Sequence, residues 1–180
     1  MSPALVLFDD QTARGWIPFA LTRPAGELRF GALTLRERAE RTFALPCIGH
    51  LTAAHLSGFE EPGAPPVVQL DTLSRERDLL FLSSRALPAW GTLPLEAVRE
   101  AALVRIGEEL CGWYAPAGSQ FPPAEFFLDP AGHAPSAARV LEREGTLLER
   151  PWQLVTRNAA QLSTDIASLF PAPPRTAPPT

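Results

Sequence analysis

Residues Ala4 to Phe8, ALVLF, form an unbroken apolar run that stops at Asp9-Asp10. A run with no polar alternation suits a strand buried on both faces, the inner strand of a sheet covered on either side. Its acids then fall at the C-terminal end of the strand, where open α/β sheets bind their ligands. The run therefore points to an α/β domain with a mostly parallel sheet and flanking helices, and it marks the place to look for chemistry.

The next segment is rich in turn formers. Gln11 to Gly31 contains Gly15, Pro18, Pro24, Gly26 and Gly31 and reads as mostly loop. Thr34-Leu35-Arg36-Glu37 is a capping box, so a helix is predicted from there to about Arg41. A short helix is predicted from Thr52 to Gly58, and strands at Val67–Leu70 and Leu79–Ser83. Glu96–Ala102 reads as helical. Ala101–Ile106 and Glu109–Ala115 flank Gly107-Glu108 as an antiparallel hairpin. Ala117 to Pro135 is irregular, Ser136–Arg143 reads as a helix capped by Ser136, and Pro151 opens a turn of helix with Trp152. Asn158 and Gln161 form a second capping box for a helix to about Phe170, with Leu162, Ile166, Leu169 and Phe170 as its apolar stripe. The tail PAPPRTAPPT is half proline, so 171–180 reads as a linker or disordered end.

Composition excludes several classes. With 46% apolar and 20% charged residues the chain suits a globular domain, and a net charge of −4 argues against a general nucleic-acid binder. No apolar run approaches the roughly 18 residues of a membrane span. MSPALVLFDD lacks the basic start of a signal peptide. Cys47 and Cys111 make no CxxC pattern and read as free thiols, so a cytoplasmic location is expected. All 16 basic residues are Arg. Arg can replace Lys as a bidentate phosphate clamp but not as a Schiff-base former.

WIPFALTRPAGELRFGALTLRERAER resembles the start of sugar-phosphate nucleotidylyltransferases: Pro18 to Pro24 takes the place of their "PLT…RP" stretch, and Leu33 to Arg38 the start of their helix. The likeness is nearest to a branch of sugar nucleotidyltransferases related to the bifunctional acetylglucosamine-phosphate uridylyltransferase, in which such a domain precedes a left-handed β-helix. Leu80 to Pro88 and Arg150 to Asn158 resemble that branch as well. The resemblance implies a reduced, Rossmann-like nucleotide-diphospho-sugar transferase fold over residues 1–170. It also implies a reaction in which a sugar 1-phosphate and a nucleoside triphosphate give a nucleotide-sugar and pyrophosphate with Mg²⁺. A C-terminal β-helical domain is the implied partner.

The sequence departs from that pattern in three places. FDDQTARGW has one Gly where the family has a Gly-rich phosphate loop, Ala25 stands where the family has Lys, and Ser83-Ser84-Arg85 stands where it has a metal-holding "GD" pair. The alternative is thus a non-catalytic module that binds a sugar nucleotide or packs on a β-helical acyltransferase.

Each candidate residue has two readings. Arg23 and Arg29 either clamp phosphate as catalytic groups or pair with Glu27 or Glu37. Asp9 and Asp10 either hold Mg²⁺ or cap the next turn and bond loop amides. Arg85 either meets substrate phosphate, with Thr22, Ser83, Ser84 and Trp16 as neighbours in substrate binding, or is a solvated loop charge. Asp71 carries the same ambiguity. His50, His55 and His133 have no metal-ligand spacing, and Cys47 near His50 is a weak nucleophile candidate.

Overall fold

Both faces of the opening strand are covered, as its unbroken apolar run requires. The computed structural model describes residues 2–90, 98–136 and 138–170. Its elements run β1 (Ala4–Phe8), α1 (Gln11–Arg14), β2 (Arg29–Phe30), β3 (Leu33–Thr34), α2 (Leu35–Phe43), β4 (Cys47–Leu51), β5 (Leu79–Ser83), β6 (Ala86–Pro88), β7 (Ala102–Ile106), β8 (Glu109–Ala115), β9 (Arg139–Arg143), β10 (Gly145–Leu147), α3 (Gln153–Thr156) and α4 (Asn158–Leu169).

A six-stranded sheet has the order β4-β1-β5-β8-β7-β9. β1 is parallel to both neighbours, and β8 is antiparallel to β5 and β7, so only β8 runs against the other strands. The sheet is mostly parallel, as expected of an α/β Rossmann-like domain. The chain leaves β1 for β4 on one side and later returns to β5 on the other. β1 is therefore a topological switch point, and its C-terminal end faces the crevice where α/β sheets place ligands.

Alternation along β1 and β5 sorts the core into two layers. Leu5, Leu7, Leu80 and Leu82 pack with Ala39 and Phe43 of α2. Val6, Phe8, Leu79 and Phe81 pack on the other face with Phe126 and Phe127. There a 3₁₀ turn, Ala124–Phe127, covers the sheet in place of a long helix, with Phe127 set edge-on against Phe8 at 5.3 Å.

The α2 capping box forms as predicted: the Glu37 N–H donates to Thr34 Oγ1 (3.1 Å) and the Thr34 N–H to Glu37 Oε2 (2.8 Å). The hairpin of β7 and β8 also forms, turning at Gly107 with φ +61°. Other expectations are corrected. Gln11–Gly31 contains α1 and two 3₁₀ turns. Thr52–Gly58 shortens to a 3₁₀ turn at Ala54–Leu56, and Val67–Leu70 contributes only a bridge from Val67 to His50. Of the helix expected at Glu96–Ala102, Glu96 and Ala97 lie outside the described residues and Ala102 begins β7. The helix expected at Ser136–Arg143 is instead β9, parallel to β7, because the edge of β7 offers a ladder that outweighs helix propensity. The expected linker at 171–180 lies outside the described residues.

The helix at α4 forms, but its expected cap and stripe are both reversed. Asn158 does not cap it; its Oδ1 accepts from the Gly31 N–H (2.8 Å). Leu162, Ile166 and Phe170 are 38%, 49% and 71% exposed, while Asp165 is fully buried. Asp165 takes a bidentate bond from Arg38 (2.7 Å to each oxygen) and one from the Ala32 N–H (2.9 Å). Gly31 sits at φ +71°, and a side chain there would collide with Asp165. The helix therefore docks by its polar side, because an unpaired buried Arg38 would cost more than exposed leucine.

Burial alone would push the Asp165 carboxyl up, but the bonds from Arg38, Gln161 and Ala32 outweigh it and hold it below the ordinary carboxylate range. Its stabilisation is present above the unfolded value near pH 4 and is lost as pH falls through the folded value. Asp165→Ala is expected to cost about 3–5 kcal/mol in urea unfolding at neutral pH. The Asp165→Asn protein is expected to lose less stability than wild type on acidification.

Candidate functional site

Asp9 and Asp10 lie at the mouth of the switch point, where the ladder ends: the Asp9 N–H donates to Leu51 O (2.8 Å) and the Ser84 N–H to Phe8 O (2.9 Å). Both aspartates are buried, at 2% and 4% exposure, so each needs internal partners. Asp10 caps α1 through the Ala13 N–H (2.9 Å) and accepts from Ser83 Oγ (2.9 Å). Arg85 Nε lies 2.9 Å from both Asp10 oxygens. Asp9 Oδ2 accepts from Thr52 Oγ1 (2.5 Å) and from the Ala25 N–H (3.1 Å), which ties the loop to the strand end; Asp9 Oδ1 is buried with no partner.

Arg85 is held from three directions. Its Nε meets Asp10, its Nη1 donates to Leu148 O (2.6 Å), and its Nη2 reaches toward the half-exposed Glu109 (3.9 Å). Arg14 completes the group, donating to Asp9 O (2.9 Å) and Thr52 O (3.1 Å). Burial pulls the Arg14 pKa down, against the fields of Asp9 and Asp10, which raise it. Two guanidinium groups thus balance two carboxylates.

Above this floor opens a cleft of about 600 Å³, lined by Asp10 and Arg85, by Arg105, Glu108 and Glu109 of the β7–β8 hairpin, and by Asp129 from the loop after Phe127. A second cleft, of about 530 Å³, lies on the loop side and is lined by Thr22, Arg23, Glu27, Arg29, Arg36 and Glu61 among others.

The sequence-predicted residues divide between these places. Asp10 and Arg85 meet at the first cleft, with Ser83 beneath them and Ser84 buried alongside, its Oγ unpartnered. Thr22, Arg23 and Arg29 stand together at the second cleft. Arg23 pairs with Glu61 (3.4 Å), not with Glu27 or Glu37, and Arg29 donates to Ala32 O (2.8 Å). Trp16 is 1% exposed inside the core and lines neither cleft, which corrects its expected place in substrate binding. Arg85 is a buried ion-pair partner rather than a solvated loop charge.

Sequence reasoning weighed Glu27 and His50 separately and missed the network they form with Arg36. Arg36 Nε donates to Glu27 Oε1 (2.6 Å), which also faces His50 Nε2 (2.8 Å), and Arg36 Nη1 donates to Glu40 (2.7 Å). Burial raises the Glu27 pKa, but its bonds with His50 and Arg36 prevail and hold it below the ordinary range. Glu37 and Glu40 on the turns beside Arg36 were the only sequence sign of this network. Burial pushes the Cys47 thiol up to about 12, which leaves no ready thiolate nucleophile beside His50.

The sugar nucleotidyl transferase family profile matches residues 5–170. The chain belongs to that family. A search of curated proteins found no match.

Nucleotidyltransferases commonly use divalent metals, so the acid pair has to be tested against Mg²⁺. The pair does not fit the ion as it stands. Both Asp10 oxygens face a guanidinium where a cation would lie, and Asp9 has one oxygen taken and one enclosed. Among the described residues, no group of three or more His, Cys, Asp or Glu side chains is arranged to hold a metal. No described helix is long and apolar enough to cross a membrane.

Truncating either side of the Asp10–Arg85 pair strands the other charge inside the protein. Asp10→Ala is expected to lower unfolding free energy by about 3–5 kcal/mol. Added to Arg85→Met it should cost much less, so a double-mutant cycle by urea denaturation should show strong coupling.

Proposed function

We propose that this sugar nucleotidyl transferase domain binds a sugar nucleotide in the cleft at the ends of β1 and β5 and does so without turnover. The observation that carries this reading is the switch-point cleft floored by the closed Asp10–Arg85 pair. The position is where α/β sheets bind nucleotides, and the hairpin carboxylates with Arg105 offer acceptors and donors suited to sugar hydroxyls and phosphate. In the family's reaction a sugar phosphate oxygen attacks the α-phosphorus of a nucleoside triphosphate, and the bond to the pyrophosphate leaving group breaks. That chemistry depends on positioned cationic charge. Here the buried Arg85 guanidinium is already neutralised by Asp10, Arg14 is taken up by the Asp9 and Thr52 carbonyls, and Ala25 supplies no Lys.

A second reading, assembly with a β-helical acyltransferase domain, is favoured by one observation: Leu162 and Ile166 of α4, and Phe170 just after it, are exposed.

Isothermal titration with UDP-glucose, GDP-mannose and ADP-glucose is expected to detect binding of at least one probe. Pyrophosphate release from nucleoside triphosphates with a panel of sugar 1-phosphates is expected to stay at background. Steady pyrophosphate release would establish the transferase reaction in this chain, and no binding by any probe would leave the assembly reading.

A further inference from the structure

We infer that Arg85 occupies the place a divalent cation would take on the Asp10 carboxylate, so that the cleft is indifferent to divalent cations and removing Arg85 uncovers a cation site. This deepens the reading of the cleft given above, and it rests on that reading only for the ligand. The cation arm of the test stands by itself.

Three observations converge. Arg85 Nε bridges both oxygens of Asp10 at 2.9 Å, which is the position of a bidentate cation. The side chain cannot swing away freely, because Nη1 is anchored on Leu148 O at 2.6 Å and the Arg85 carbonyl accepts from the Leu148 N–H at 2.9 Å. Both partners are more than nine-tenths buried, so water screens the pair little.

Charge balance points the same way. Arg85 pairs directly with the Asp10 carboxylate, so that carboxylate carries no uncompensated charge to draw Mg²⁺, while Glu108, Glu109 and Asp129 leave the cleft wall acidic. Without Arg85 the floor has one uncompensated carboxylate, an open space the size of a guanidinium head, and oxygen ligands from Asp10 and Ser83, the donor type that hard divalent cations require.

The test is thermal unfolding of the full chain in EDTA, in MgCl₂ and in MnCl₂, for wild type, Arg85→Ala and Arg85→Gln. Wild type is expected to unfold at the same temperature in all three. A folded Arg85 variant is expected to gain about 3 °C in MnCl₂, the shift that near-tenfold saturation gives a domain of this size. Adding Asp10→Asn should abolish that gain.

A Mn²⁺-dependent rise in wild type overturns the inference, as does a folded Arg85 variant that ignores Mn²⁺ or a gain that survives Asp10→Asn. If neither variant folds, wild type alone decides. The inference holds if its midpoint ignores Mn²⁺ and its affinity for UDP-glucose, or for whichever probe binds, agrees within about twofold between EDTA and MgCl₂, less than about 0.5 kcal/mol. It fails if either depends on the ion. Binding of no probe counts against the ligand reading of the cleft and leaves the cation arm to stand or fall by Mn²⁺.

Discussion

The contact between Arg85 and Asp10 fixes what the rest of the structure can do. It joins the ends of the two central parallel strands, β1 and β5, and through Leu148 it also ties in the strand pair β6–β10 that flanks α2. The same carboxylate caps α1, so the direction in which the chain leaves β1 depends on it. Asp9 repeats the device on the other side, reaching Ala25 in the loop and Thr52 after β4. The two adjacent acids act as a rivet for three strand ends and a loop. Side chains at the end of the sheet where α/β domains bind ligands here tie strand ends and a loop together.

This exchange has a physical logic. A carboxylate buried at a strand end must be neutralised. A bound metal can do so and remain available to substrate, whereas an internal guanidinium neutralises the charge permanently. In this chain the internal guanidinium at Asp10 is Arg85. On the reading proposed above, the cost is the loss of a cation the ligand can share. The gain is a floor whose geometry is set before any ligand arrives.

The strand ALVLF, the capping box at Thr34, the β7–β8 hairpin and the acids at the end of β1 are legible in the sequence because local pattern and tertiary role agree there. β4 is not. In CIGHL a glycine packs against Val68 and a histidine against Glu27, so the strand is defined by partners that lie far away in sequence. β9 reads as a helix because SAARVLER suits one locally, and only the free edge of β7 decides the matter. The period of α4 is visible, but its buried side is not, since that side is chosen by an ion pair between residues 127 positions apart. The site shows the same division. Asp9 and Asp10 can be found from the strand end, while their partner Arg85 stands 75 positions beyond Asp10, and no local signal separates a buried arginine from a solvated one.

The most direct check is a crystal structure of the protein grown in MnCl₂, with anomalous diffraction recorded for manganese. The account predicts no anomalous peak at the Asp10 carboxylate, and Arg85 Nε within hydrogen-bond distance of Asp10. A manganese ion on the Asp10 carboxylate, with the Arg85 side chain turned out into the cleft, would contradict it.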